Sequence, residues 1–456
     1  MIGPVRQIQL GNGASADLYL LRFDKNGRLQ SPKTAELAVK AARAATDVYL
    51  FSHGWNNVYA DALAAYVRFA EGFIEQRRKL DLPVPGQYRP VLIGVIWPST
   101  WFVPKRDRGP VIAGGGEDDA ERERDERMLA EITSQMSSEA AAEFIELIDG
   151  ADSLGRHDAE RVAELMRAAI WSEPDDDGAS APPDNAAVLS AWSAISNPDE
   201  PFVEEEEDVK TVDRPTDEPT SAASAESETP KTAGGTRFSP RDALRLGSVW
   251  TMKARAGKVG VIGVRPLLEE ILARGSDARV HLVGHSFGAR VLLSAVASAR
   301  LDRKVRSMLL LQPAVNRWCF AEKVIGTEIP GGYRVVLQRV EQPVLATRSK
   351  HDYPLHQFFH LAVRGGSLGE IDIAAVGDTD RYGALGGYRP QQEADFPHGD
   401  LLDPGKAYNL TGTTTVISLD GSRQVNGKPA IGGHGDINNP FTWWALHALA
   451  APPKAP

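Results

Sequence analysis

A mixed α/β fold with a mostly parallel central sheet is what this sequence predicts, and three observations carry the prediction. Continuous apolar runs such as Val48-Tyr49-Leu50-Phe51 and Val91 to Trp97 read as strands covered on both faces, as strands of a parallel sheet are. Stretches with a helical apolar stripe separate them, as crossover connections require. The stretch Ala278 to Ser298 then reads as a strand, a sharp turn and a helix in one piece.

Taken in order, Val5 to Leu10 and Ala16 to Phe23 read as two strands joined by a turn around Gly11-Asn12-Gly13, which predicts an antiparallel hairpin at a sheet edge. A helix from about Lys33 to Arg43 leads to the strand Asp47 to Phe51, which ends in Ser52-His53-Gly54-Trp55-Asn56-Asn57. A helix follows over Ala60 to Lys79, with Leu63, Tyr66, Val67, Phe69, Ala70, Phe73 and Ile74 on its inward stripe. Val91 to Trp97 is the next strand, ended by Pro98 and Ser99.

Beyond Pro104 the chain changes character. Between Glu117 and Pro230 there are 33 Asp and Glu against eight Lys and Arg, a net charge of −25 in a chain whose total is −10. Glu117 to Asp149 is helical by pattern, with Leu129, Ile132, Met136, Ala140, Phe144 and Ile148 on one face. Asp158 to Trp171 and Asp184 to Ile195 carry similar stripes, and Asp158 and Asp184 read as N-caps. Asn197 to Thr236 is Pro, Ser, Thr and Glu, too polar to order itself by burial, and is expected to be mobile. The domain reading is therefore a core over 1–104 and 237–456, an acidic helical insertion over 105–196, read as either a lid over the strand ends or a solvated appendage, and a disordered acidic linker over 197–236.

After the insertion a helix opens at Ser239-Pro240, with Ser239 as its cap and Asp242 at the third position. The stretch Val249 to Lys253 follows, and a helix from about Gly263 to Ala273 precedes the strand Arg279 to Val283. Later strands are read at Arg306 to Leu311, Val344 to Thr347 and Thr414 to Leu419, with a terminal helix over Phe441 to Ala450.

Composition narrows the class. With Cys319 alone among 456 residues, no internal disulfide forms, and nothing asks for an oxidising compartment. The start MIGPVRQIQLGNG lacks a basic stretch followed by an apolar run, and no run approaches 18 apolar residues, so a cytoplasmic protein without a membrane span is expected. No cluster has zinc spacing and no phosphate or dinucleotide glycine loop follows a first strand, so neither metal, cofactor nor nucleic acid is expected.

The chemistry is expected at Gly284-His285-Ser286-Phe287-Gly288, which fits G-x-S-x-G. In such an elbow the residues two before and two after the serine must be nearly free of side chain, or strand and helix could not approach. The helix N-terminus beneath the serine offers N–H groups to a developing oxyanion.

A strand ending in H-G-W-N-N, a helix, a strand ending in W-P-S, a long interruption and a strand carrying G-H-S-F-G together resemble the α/β-hydrolase superfamily. More narrowly they resemble a little-characterised bacterial branch of serine-esterase-like hydrolases with an H-G-[FW]-N element. The likeness covers roughly residues 1–104 and 240–450, and it departs from the superfamily in placing its insertion between the fourth and fifth parallel strands rather than after the sixth. The resemblance implies oxyanion N–H groups at Trp55 and Phe287. It also implies the order serine, acid, histidine, with the acid after a late strand and the histidine in a loop after the last one.

Asp352 and His434 fit that order, although Asp372, Asp378 and Asp436 compete for the acid and His398 and His447 for the base. Asp352 also reads as an ordinary N-cap before Tyr353-Pro354, and Asp436 as a cap for the His434 loop. His53, Trp97 and His285 are expected around the substrate pocket, with Trp55, Trp101 and Phe102 adding aromatic surface near the strand ends. His53 reads as a histidine bonding its own loop in preference to one that moves a proton.

The implied activity is cleavage of a small or lipid-like carboxylic ester through an acyl-enzyme. The alternatives are an acyltransferase using the same intermediate and a binding scaffold on a hydrolase frame.

Overall fold

In the computed structural model the described residues are 2–11, 14–55, 59–82, 88–99, 125–126, 128–149, 151–170, 184–196, 238–324, 328–357, 359, 383–390, 396–410 and 415–451. Among them, nine strands form one sheet. The N-terminal pair β1 (Arg6–Gly11) and β2 (Ala14–Arg22) is antiparallel, and every later pairing is parallel. The edge hairpin and the mostly parallel sheet thus follow the sequence pattern.

The order is β1-β2-β4-β3-β5-β6-β7-β9-β8, with β3 (Asp47–Ser52), β4 (Pro90–Ile96), β5 (Arg279–His285), β6 (Ser307–Leu311), β7 (Val344–Arg348), β8 (His398–Asp400) and β9 (Val416–Asp420). From β3 the chain winds one way through β4, and from β5 it winds the other way. The carboxyl ends of β3 and β5 therefore flank a switch point, where loops diverge and leave a crevice. The register Ser52↔Gly284 puts the residues after both strands side by side.

All six residues of β3 are buried, and successive side chains serve opposite faces. Val48 and Leu50 join the cluster with α1 (Pro32–Arg43), whereas Tyr49 and Phe51 pack with α2 (Tyr59–Lys79). A continuous apolar run is the sequence of a strand that has helices on both sides.

Between β4 and β5 the described chain is helical, and it departs from the sequence reading in three places. The helical stretch expected over Glu117 to Asp149 is interrupted at residues 134–137, and Ser137 starts a new helix, α3 (Ser138–Ile148), its hydroxyl accepting from Ala140 N at 3.2 Å. A serine that can satisfy a free N–H competes with helix continuation, although Ile132, Phe144 and Ile148 still share a buried face. Asp158 is not an N-cap but lies in the first turn of α4 (Arg156–Ile170), whereas Asp184 does cap α5 (Asn185–Ser196) through Ala187 N at 2.8 Å. Ser239 occupies the N-cap of α6 (Pro240–Lys258) but makes no side-chain cap; its carbonyl instead accepts from Trp192 Nε1 at 2.8 Å.

The stretch Val249 to Lys253 lies inside α6, which continues through a π-helical segment (Val259–Val264) into α7 (Arg265–Ile271). Gly260 allows the close approach there, since a Cβ would sit 2.4 Å from Val291 O of the helix α8 (Phe287–Ser298). Residues 105–124, the linker Asn197 to Thr236, and Trp101, Phe102, Asp372 and Asp378 lie outside the described residues.

The helices between β4 and β5 are anchored on α6. Arg255 pairs with Glu131 and donates to Pro98 O at 2.9 Å, and Arg241 pairs with Asp125 at 2.8 Å. Met128, Ile132, Phe144, Val162, Met166 and Trp192 belong to the same apolar cluster as the adjoining sheet face. No described helix is long and apolar enough to cross a membrane.

Candidate active site

The turn after β5 departs from ordinary backbone at one residue. Ser286 has φ 55° and ψ −127°, a conformation that costs a non-glycine residue about 1–3 kcal/mol and persists only where its surroundings impose it. Here they do. Ser286 N donates to Leu311 O at 3.1 Å at the end of β6, and Ser286 O accepts from Ala289 N at 3.0 Å and Ala314 N at 3.3 Å.

The flanking glycines are sterically required, as the spacing implies. A Cβ on Gly284 would lie 2.7 Å from Ala289 Cα, and one on Gly288 would lie 2.1 Å from Ser52 O. The loop after β3 presses against the same turn, since a Cβ on Gly54 would come within 2.6 Å of Ser286 Cβ. Phe287, first residue of α8, has an N–H with no intrahelical acceptor, and Trp55 follows Gly54; their rings meet edge to face at 6.3 Å.

Three chain segments then converge. Ser286 Oγ lies 2.9 Å from His434 Nε2, and His434 Nδ1 lies 2.8 Å from Asp352 Oδ2. Asp352 sits at the start of the short helix α9 (Tyr353–Gln357) after β7, and His434 sits in the loop before the terminal helix α10 (Pro440–Ala450). The carboxylate can only accept, so Nδ1 carries the proton and Nε2 is left to take one from the serine hydroxyl.

Asp352 is fully buried, and its two oxygens divide the work. Oδ1 caps α9 by accepting from Leu355 N at 3.1 Å, while Oδ2 takes His434 and Gln312 Nε2, the latter at 2.6 Å. Oδ1 therefore meets the N-cap reading of Asp352, while Oδ2 is turned to His434.

The His434 loop is held along its backbone. Ser349 Oγ donates to Ile431 O at 2.8 Å, Gly432 N donates to Asp436 Oδ2 at 2.9 Å, and Gln312 Nε2 donates to Gly433 O at 3.0 Å. His285 Nε2 donates to His434 O at 2.8 Å, and burial pushes the His285 imidazole down to about 3, so it stays neutral.

His53 and Trp97 do not line open surface. His53 is buried, stacked on Trp97 at 5.6 Å, donating from Nδ1 to Gly54 O at 2.9 Å and accepting from Trp97 N at 3.3 Å. Burial lowers its imidazole to about 4. His53, Trp97 and His285 each spend polar atoms on backbone groups of the loops around Ser286, and the His285 side chain, unlike the other two, is only half-buried.

His447 is stacked on Phe73 at 3.9 Å and donates to Phe73 O at 2.8 Å, far from the serine in role, and His398 lies in the edge strand β8. That strand went unread because three exposed residues carry no pattern. Gln312 also escaped the sequence reading. Its only mark is a place directly after β6, and its φ of 44° is invisible in the residue type.

Among the described residues, no group of three or more His, Cys, Asp or Glu is placed to hold a metal ion. Compared with models of known families, with curated proteins and with solved structures, the chain finds no match.

Proposed function

We propose that this chain is a serine hydrolase of the α/β-hydrolase type that cleaves a carboxylic ester through an acyl-enzyme. One observation carries the reading. Ser286, His434 and Asp352, separated by 148 and 82 residues, form a directed proton path at 2.9 and 2.8 Å around a serine with strained backbone.

A neutral serine hydroxyl is a poor nucleophile, so the path supplies what the chemistry requires. Ser286 Oγ attacks the ester carbonyl while its proton passes to His434 Nε2, and Asp352 stabilises the imidazolium that results. The N–H groups of Phe287 and Trp55 serve the oxyanion. Collapse expels the alkoxide, which takes the proton from His434. Water then attacks the acyl-enzyme with His434 as base, and the acid leaves with Ser286 restored.

The helices between β4 and β5 we read as an acidic insertion on this core. Its anchorage on α6 and its shared apolar cluster support a buttress of the sheet, and that cluster reaches Phe287 beside Ser286.

A fluorophosphonate probe tests the proposal. Wild type labels covalently at Ser286 and Ser286→Ala does not, with both folded. Equal labelling of the two, or attachment elsewhere, overturns it. A series of p-nitrophenyl esters of rising chain length then separates acetyl from long-acyl preference, and product analysis with added alcohol tells hydrolysis from acyl transfer.

A further inference from the structure

We propose that Gln312 is a positioning residue for the Ser286 centre, an inference that rests on the hydrolytic reading of that centre. Gln312 directly follows β6, on a different segment from Ser286, Asp352 and His434. It is fully buried and holds φ 44°, in the left-handed region that a glutamine rarely adopts.

The surroundings fix it in that conformation. Its N–H donates to Thr347 Oγ1 at 2.9 Å, and Gly386 packs so closely on its backbone that a Cβ there would lie 2.3 Å from Gln312 C. Such strain is kept where the side chain it aims has work to do.

That side chain has two targets, and both concern His434. One Nε2 proton goes to Asp352 Oδ2 at 2.6 Å, the same oxygen that takes His434 Nδ1, and the other goes to Gly433 O at 3.0 Å, beside the histidine. A single amide therefore ties the acid to the loop carrying the base, and sets their separation. It does so without charge. Among the described residues Leu355 N, Gln312 Nε2 and His434 Nδ1 donate to this carboxylate, and the titratable groups beside the imidazole are His285, its ring centroid 4.9 Å away, and Asp436 of the same loop.

Two consequences follow. Gln312 restricts the approach of Asp352 to His434, and it draws off part of the electron density on Oδ2, which tempers the basicity of His434. Removing the amide leaves the imidazolium as the main stabiliser of that oxygen. His434 then holds its proton to higher pH and adopts the reactive geometry less often.

The experiment measures the rate of fluorophosphonate labelling of Ser286 against pH, with the melting temperature recorded in parallel. Gln312→Met keeps length and loses both donors; labelling falls about 10- to 100-fold and its rising limb moves to higher pH. Thr347→Val removes the acceptor of the Gln312 N–H; it gives a smaller loss with the limb moving the same way, and it decides the matter if Gln312→Met does not fold. A folded Gln312→Met labelled at the wild-type rate with an unmoved limb overturns the inference, whatever its melting temperature. An unmoved limb in Thr347→Val does so where Gln312→Met is lost. Failure of the wild type to label at Ser286 is a different result, since it removes the hydrolase reading first.

Discussion

Among the described residues two serine–histidine–aspartate groups occupy opposite ends of the same sheet, and they differ in burial, charge and backbone. At the carboxyl end stand Ser286, His434 and Asp352. At the amino end His281 of β5 lies 2.8 Å by Nδ1 from Ser307 Oγ of β6 and 3.1 Å by Nε2 from Asp47 Oδ1 of β3. The hydrogen bonds run in the same sense, from hydroxyl to imidazole to carboxylate. Residue types and distances do not separate the two.

Burial, charge and backbone do. Ser307, His281 and Asp47 are all 0% exposed; Ser286 and Asp352 are buried almost as fully, and the difference lies in the histidine, since the His434 side chain is 17% exposed on a loop. Asp47 is engaged by Arg279 at 2.6 Å, so its charge is already matched; burial alone would raise its carboxyl, but His281 and Arg279 outweigh that and hold it below the usual range. Burial lowers the His281 imidazole, which disfavours the cation a general base must become. Ser307 lies in regular strand paired with His281. The amino-end group is a polar pin through three strands, and the comparison teaches that a relay needs access and a reserved counter-charge as well as contact.

The sharpest way to break the comparison is to remove each serine. Ser286→Ala and His434→Ala are each expected to lose about 10⁴ or more in ester turnover, because nucleophile and base act as a unit. Ser307→Ala is expected to keep labelling at Ser286 within a few-fold, and loss of labelling there would place the chemistry at the wrong end of the sheet.

Next in size is Asp47→Ala. It leaves Arg279 and His281 without their carboxylate and is expected to cost roughly 3 kcal/mol of stability in urea unfolding, as breaking a buried ion pair does. The labelling rate of the folded protein should hardly move. An unchanged urea midpoint would mean that the amino-end group pins nothing.

Acid then sharpens the contrast between buried and accessible histidines. His447 titrates at about 3 in the fold, through burial first and Arg77 second, against an ordinary 6.5, so the unfolded chain takes up a proton that the folded one refuses. Its contribution is fully present above 6.5 and is lost as the pH falls toward about 3, at about 1.4 kcal/mol per pH unit. His447→Gln, which retains a donor for Phe73 O, should lessen the pH dependence of the urea midpoint by that amount between pH 6 and 4. A slope equal to wild type would show that this histidine is charged in the fold.

The smallest effect is expected from the linker. Replacing Asn197 to Thr236 by a short flexible connection should leave melting temperature and small-ester turnover nearly unchanged. Removing Glu117 to Ile195 as well should expose the face that Ile132, Phe144 and Met166 share with the sheet side, and lower stability sharply. A stable protein after the larger deletion would contradict the buttress.

What the sequence by itself determined is whatever a few adjacent residues decide. The turn at Ser286 was legible because Gly284, Ser286 and Gly288 lie within five positions; the demand on Gly284 comes from the helix that follows it, although that on Gly288 comes from Ser52 of β3. The apolar runs of β3 and β4 and the stripe of α2 were legible for the same reason, since a period is local. Tertiary structure alone decided the rest. It set the strand order that opens the switch point beside Ser286, drew Asp352 and His434 together, split the work of Asp352 between a helix cap and an imidazole, and gave Gln312 its two targets. It also chose between the two serine–histidine–aspartate groups, because exposure, a matched or free charge and a strained φ are properties of surroundings assembled from distant segments and are not written in any one of them.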